Sequence, residues 1–342
     1  MLLRHRIALA VLSSASLAAA PVEPVTSGPG IDYQPAVLHS RPDGARLVVF
    51  ERLDPNTYAG DLWLTRSTDA GASWSTPVPI IASSANERHP ALVQLGPASY
   101  LLFHLKGASS NASFRIWRAT SSDGLAFTEQ GALDLGWSTG GEVNPHVIVG
   151  AGGMLVMTYQ RLGGGSHVTW STDAGATWDT SKTLIAAGSQ LPRIAWRERG
   201  GLYLASYQVG SSALRIYLKT SLDLADWSAP AQDFAITGNN HDSLPVVMPD
   251  GAFALFWIRQ NGGAFDLAVR RSADGQVWGA PVALTNTPGE HDVEPHPLVG
   301  SSPRAVELYW GRAASGDDYD IVRLPAAPVL DDVVFADDFE AG

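Results

Sequence analysis

From residue 31 onward the chain alternates apolar and polar residues in short runs, bounded by Gly, Pro, Ser and Asp. Period-two alternation over about four to eight residues predicts strands, and turn-forming clusters between them predict hairpins. The runs recur in a fixed order. A strand carrying a proline comes first, with Pro35, Pro90, Pro145, Pro192, Pro245 and Pro295 as markers. A strongly apolar strand follows: RLVVFER, YLLFHLK, LVMTYQR, YLASYQV, FALFWIR and VELYWGR. Two further strands complete each unit. In the last unit the third strand is YDIVRL (319–324), and AAPVLDDVVF (326–335) is expected as the fourth.

The turn between third and fourth strands carries a motif. It reads STDAGASW at 67–74 and STDAGATW at 171–178, with shorter copies SSDGLAF, SLDLADW and SADGQVW. The aspartates are Asp69, Asp123, Asp173, Asp223 and Asp274, so successive copies lie 54, 50, 50 and 51 residues apart. A period of about 50 residues is the mark of a repeat architecture. Ser and Asp side chains bond backbone N–H groups inside such turns, and Gly accepts positive φ. These aspartates are therefore expected to be structural, with the Trp buried beside the strands it follows. Six units of four strands predict an all-β, six-bladed propeller of antiparallel four-stranded blades spanning 31–335. The repeats run from a first strand to a fourth, so no exchanged strand is needed to latch the ring.

The motif resembles the Asp-box of the sialidase superfamily, also called the BNR repeat. That resemblance implies a propeller and a glycan-directed activity. It further implies an arginine triad for a substrate carboxylate, a Tyr nucleophile paired with a Glu, and an Asp acid/base. The family's first arginine stands in an R-I-P motif. Here the first unit opens Tyr33-Gln34-Pro35, and the nearest match is Arg88-His89-Pro90, one unit later. Three of Arg88, Arg161, Arg259 and Arg312 supply a triad on this basis, and Tyr309 with Glu307 is the Tyr/Glu spacing available. These departures point away from strict sialidase activity.

Charge and composition narrow the partners. The chain has 342 residues, 45% hydrophobic, and no cysteine. Residues 1–20 read as a secretory signal: Arg4, His5 and Arg6 precede a short apolar run and small residues. Without its two arginines, 21 basic residues face 34 acidic ones, a net charge of −13. Nucleic acid and anionic membranes are thus not expected as partners. No later segment is apolar enough to span a bilayer. A secreted or periplasmic protein of a Gram-negative bacterium is expected, monomeric and without cofactor. Residues 21–30 read as a linker and 336–342 as a C-terminal tail.

Strand polarity locates the candidate chemistry. In an antiparallel blade the first strand begins where the second ends, and the Asp-box turns lie at the opposite face. Three places before the prolines stand Asp32, Glu87, Glu142, Ser189, Asp242 and Asp292. The second strands end at Arg52, Lys106, Arg161, Val209, Arg259 and Arg312. Acidic and basic rings are predicted at one channel mouth. Asp242, Asp292, Glu142 and Glu87 are the candidate catalytic carboxyls, since paired carboxyls perform glycoside hydrolysis. Arg88, Arg161, Arg259, Arg312, His241, His291 and Tyr159 are candidate substrate contacts, with Tyr207, Trp257 and Trp310 nearby. The structural alternative is that the two rings pair with each other and that the aromatics pack between blades. A glycan-active hydrolase, or a non-catalytic propeller binding a glycan, another polar small ligand or a protein, fits this pattern.

Overall fold

A computed structural model of the chain describes residues 21–108, 113–229, 231–234, 236–300, 305–313, 316 and 318–329. The 1–20 segment and the 336–342 tail lie outside the described residues. Four separate antiparallel meanders of four strands come first. They are β2 (Ile31–His39), β3 (Arg46–Leu53), β4 (Gly60–Ser67) and β5 (Val78–Ile81); β6 (Asn86–Gly96), β7 (Ser99–Gly107), β8 (Arg115–Ser121) and β9 (Thr128–Ala132); β10 (Glu142–Val149), β11 (Leu155–Arg161), β12 (Gly165–Ser171) and β13 (Thr183–Ala187); and β14 (Gln190–Arg197), β15 (Leu202–Val209), β16 (Arg215–Ser221) and β17 (Gln232–Asp233). The fifth sheet has eight strands. One half is β18 (Asn240–Val247), β19 (Phe253–Asn261), β20 (Ala264–Ser272) and β21 (Val282–Ala283). The other is β22 (His291–Val299), β23 (Ala305–Ala313) and β24 (Tyr319–Pro328), with β1 (Glu23–Pro24) outermost. A single parallel pair, Phe265 with His291, joins the halves.

The architecture is a propeller of four-stranded antiparallel blades. The second strand of each blade is buried on both faces, as in Phe253 to Ile258 of β19. Such strands read as continuous apolar runs because neighbouring blades cover both sides. Buried clusters join each unit to the next. One combines Leu47, Val49 and Leu64 with Tyr100 and Leu102, and another closes the ring, with Val37, Val48 and Phe50 against Leu298, Tyr309 and Ile321.

Closure differs from expectation. The stretch read as a linker contains β1, which adds to β24 with Glu23 opposite Arg323. Arg323 Nη2 lies 2.6 Å from Glu23 Oε2, and the N–H groups of Val25 and Thr26 donate to Ile321 O. A two-residue strand has no periodicity to announce it. β24 continues to Pro328, and residues 330–335 of the anticipated fourth strand lie outside the described set.

The Asp-boxes form closed turns. Asp69 Oδ1 accepts from Ser67 Oγ at 2.8 Å and Ser73 N at 2.9 Å, while Gly71 N donates to Ser67 Oγ at 2.7 Å. These bonds, with the Ser73 hydroxyl foremost, hold the Asp69 carboxyl down at about 2; Asp173 matches it through Thr177. The tryptophans reach back to the preceding blade. Trp178 packs edge-on against Phe103 and Trp74 against Tyr309, at 5.4 and 6.1 Å. Gly71 (φ +88) lies against Arg323, where a Cβ would meet the guanidinium at 1.9 Å.

Candidate functional site

Strand register places the acidic and basic rings opposite one another. Asp32 pairs with Arg52, Glu87 with Lys106, Glu142 with Arg161 and Asp292 with Arg312. The four carboxyls are 0–1% exposed. Arg52 grips Asp32 at 2.5 and 2.7 Å. Arg312 grips Asp292 at 2.7 and 2.9 Å, and Trp310 Nε1 donates to Asp292 at 2.6 Å. Glu87 holds Ser83 at 2.5 Å and Lys106 at 3.2 Å. Glu142 has Arg115 and Arg161 at 3.3 and 3.6 Å, and burial pushes its carboxyl up despite them. Glu87 and Asp292 are thus bonded to neighbouring side chains, and Glu142 stands between Arg115 of the preceding blade and Arg161 of its own.

The fifth unit is offset. Asn240, not Asp242, stands opposite Arg259. Its proline lies two places further from the register mark, so counting back from Pro245 lands on the wrong residue. Asp242 falls instead in a bulge. Every first strand shifts register at this point: between Tyr33 and Ala36, Arg88 and Ala91, Val143 and His146, Gln190 and Arg193, His241 and Leu244, and Val293 and His296. The bulged residues Gln34, His89, Asn144, Leu191, Asp242 and Glu294 all have positive φ, from 47 to 56°. For non-glycine residues this costs about 1–2 kcal/mol each. Bulges re-aim side chains.

The neighbouring blade stabilises three of these bulges through the same contact. Glu51 accepts from the His89 N–H at 2.9 Å, Gln160 from Leu191 at 3.3 Å and Gln208 from Asp242 at 3.0 Å. Glu51 also holds Arg88 Nη2 at 2.8 Å. Burial alone would raise the Glu51 carboxyl, but Arg88 and His89 outweigh it and bring it below its ordinary value.

The residues beside the prolines enclose a cavity of about 220 Å³. Its polar lining is Gln34, His89, His146, Arg193, Glu294 and His296. Each keeps some surface facing the cavity yet lies deep inside the ring. Burial, reinforced by Asp242, pushes Glu294 up to about 8; Arg193 and the bond from Gln34 Nε2 (3.2 Å) offset this only in part. Burial lowers His89 and His296 to about 4 and His146 well below its ordinary value, so all three rings are neutral at pH 7. His146 Nδ1 accepts from Ile194 N at 3.2 Å, which leaves its proton on Nε2. Arg193 donates to the carbonyls of Pro192 and Asn144 at 3.2 and 3.4 Å. Burial lowers its pKa, which Glu294 and Asp242 counter. Asp242 Oδ2 lies 2.8 Å from His241 Nδ1, while its Oδ1 is buried without a partner.

The remaining expected contacts are dispersed. Arg161 donates to the Thr139 and Gly140 carbonyls and covers Trp137. Arg259 stands in register between Asn240 and Asp266. His291 packs on Phe265 at 5.1 Å. Tyr159 is buried, accepts from Trp137 Nε1 and stacks on His167; Tyr207, Trp257 and Trp310 are buried too. Tyr309 does donate to Glu307, at 2.8 Å. That pair sits beside Trp74 of an Asp-box, with Arg46 and Arg323, away from the cavity. Glu294, Arg193, His146 and His296 were not singled out by sequence, although all flank a repeat proline. Among the described residues no cluster of three or more His, Asp or Glu is arranged to hold a metal ion.

Residues 46–307 match the family model described as BNR repeat-like domain. No curated protein sequence matches the chain. Among solved structures it is similar to the α-L-arabinanase of Penicillium chrysogenum in complex with arabinobiose, at 16% identity and TM-score 0.65. That match covers 90% of this chain and 97% of the arabinanase. It is similar to NanB sialidase of Streptococcus pneumoniae, at 10% identity and TM-score 0.67, covering 93% and 72%. A sialic acid complex of Trypanosoma rangeli sialidase matches at 13% identity and TM-score 0.63; 88% of this chain covers only 56% of that one. With the repeats, the closed ring of antiparallel blades and a family model spanning most of the sequence, the chain belongs to the family described as BNR repeat-like domain.

Proposed function

We propose that this chain is an exported glycoside hydrolase whose site is the axial cavity of a six-bladed ring. The blade count takes each half of the eight-stranded sheet as one blade. Export rests on the composition of residues 1–20. One observation carries the activity: Glu294, whose carboxyl burial pushes up to about 8, stands beside the Asp242 carboxyl, at the same bulge position of adjacent repeats. Of two adjacent carboxyls, the one that keeps its proton supplies the acid and its neighbour the base or nucleophile. Glu294 donates its proton to the glycosidic oxygen as the bond to the anomeric carbon breaks. Asp242 acts through its free Oδ1, as nucleophile or as base toward water, while His241 holds Oδ2. Arg193 balances the negative charge. The arabinanase and sialidase folds are consistent with this chemistry.

The test is a panel of fluorogenic glycosides, sialosides included, against wild type, Glu294→Gln and Asp242→Asn. Losing a general acid or base is expected to cost about 10²–10⁴-fold in rate. Full activity in both variants overturns the assignment. Saturable glycan-array binding without turnover of any glycoside favours a non-catalytic binding propeller.

A further inference from the structure

We infer that the cavity receives one uncharged sugar residue and discriminates against sugar acids. This rests on the cavity being a glycan site and names the substrate class within it.

The cations come first. Arg52, Lys106 and Arg312 face Asp32, Glu87 and Asp292 within their own blades, Arg161 faces Glu142, and Arg88 is held by Glu51. Arg52, Lys106, Arg312 and Arg88 cannot turn toward a ligand without taking a cation from a buried carboxylate, which is costly, and Arg161 is committed to the Thr139 and Gly140 carbonyls. Among the described residues Arg193 is the one Arg or Lys lining the cavity. The undescribed residues add only Arg4, Arg6 and Arg304 to the basic side chains of the chain. Arg193 already stands against Asp242 and Glu294. A ligand carboxylate would bring a further anion to a space lined by one guanidinium, which Asp242 already faces.

The unpartnered polar atoms agree. Within the cavity's lining, Gln34 Oε1 is a buried acceptor with no hydrogen bond, and His89 Nδ1 is likewise unpartnered on a neutral ring. Buried acceptors of this kind call for donors. Sugar hydroxyls donate as well as accept, whereas a carboxylate only accepts. At about 220 Å³ the space is also smaller than the roughly 300–1,000 Å³ typical of drug-sized ligands. It suits a single terminal ring.

The experiment uses the full mature chain and two readouts. Wild type is assayed on 4-nitrophenyl glycosides of neutral sugars, including arabinofuranoside, xyloside and galactoside, and on galacturonide, glucuronide and sialoside. The best neutral substrate is expected to exceed the best carboxylated one by at least tenfold in kcat/KM. Glu294→Gln, which mimics the protonated acid, is titrated by calorimetry with arabinose, galactose, galacturonate and N-acetylneuraminate. Binding of a neutral sugar at least tenfold tighter than either acid is expected. Equal or better cleavage or binding of a carboxylated sugar overturns the inference. Neutral-sugar binding with no glycoside cleaved by wild type removes the hydrolase assignment and leaves the substrate class standing. No binding of any sugar overturns both.

Discussion

Gln208 Oε1 accepts the backbone N–H of Asp242 at 3.0 Å, so a side chain of one blade fixes the backbone that presents a carboxyl of the next. Gln208→Ala is expected to leave that N–H without its acceptor, at a cost of about 1–3 kcal/mol in stability. It should lower kcat more than it raises KM, because Asp242 loses its aim. Gln208→Glu should recover most of both, since Glu51 performs the same task for His89. Chemical denaturation and steady-state kinetics on the three proteins check this.

The alkaline limb of activity should lie near pH 8. Glu294 must carry its proton to act as an acid, and its carboxyl is pushed up to about 8, by burial first and Asp242 second. Activity therefore falls as pH rises through that value. The pH–kcat/KM profile is the measurement, and a limb unrelated to Glu294 would show no dependence on mutations at Asp242 or Arg193.

The same residue sets a stability trend. Its folded pKa lies above the ordinary 4.5 of an unfolded Glu, so the native state binds the extra proton between about pH 4.5 and 8. Stability from this group falls as pH rises across that window. Glu294→Gln removes the penalty, so its Tm relative to wild type should climb from pH 5 to pH 8 and then level off.

The Asp-boxes behave in the opposite sense. Asp69 and Asp173 are held down at about 2 by hydrogen bonds within their turns. Their contribution is present above about pH 4 and is lost as pH falls through 2. Asp173→Asn should lower Tm at pH 7, with the difference shrinking toward pH 2, and should leave kcat unchanged.

Ring closure provides the last expectation. Arg323 is buried and joins Glu23, Glu307 and the Ala70 carbonyl, tying the first strand of the chain to the last blade and to an Asp-box. Arg323→Ala should destabilise by about 1–3 kcal/mol, the usual effect of removing a charged hydrogen-bond donor whose partners stay partly solvated. Deleting residues 21–26 should also lower Tm. Thermal unfolding of both variants distinguishes a latch from a loose end.

Much of this was legible in the chain. The fifty-residue period, the strand order and the face shared by Asp32 and Arg52 all follow from repeats and alternation. The role of the rings did not. Sequence places Glu87 beside Lys106 but cannot tell a clamp on substrate from a clamp on a neighbour, because only burial decides. Asp242 was singled out by a count from Pro245 that the register shows to be offset, yet it lies close enough to Glu294 to shift its titration. Glu294 itself was hidden because the bulge position carries Gln, His, Asn, Leu, Asp and Glu in turn. No repeated letter marks it; only the left-handed backbone does. β1 was invisible for want of length.

The grip on those bulges has an evolutionary consequence. Where Glu51, Gln160 and Gln208 hold a bulge, they do so by its amide, so the side chain there is left out of the bargain that keeps the ring intact. Such sockets can be refitted one at a time. Leu191, an apolar occupant among polar ones, is a natural place to install a new functional group without redesigning the wheel that carries it.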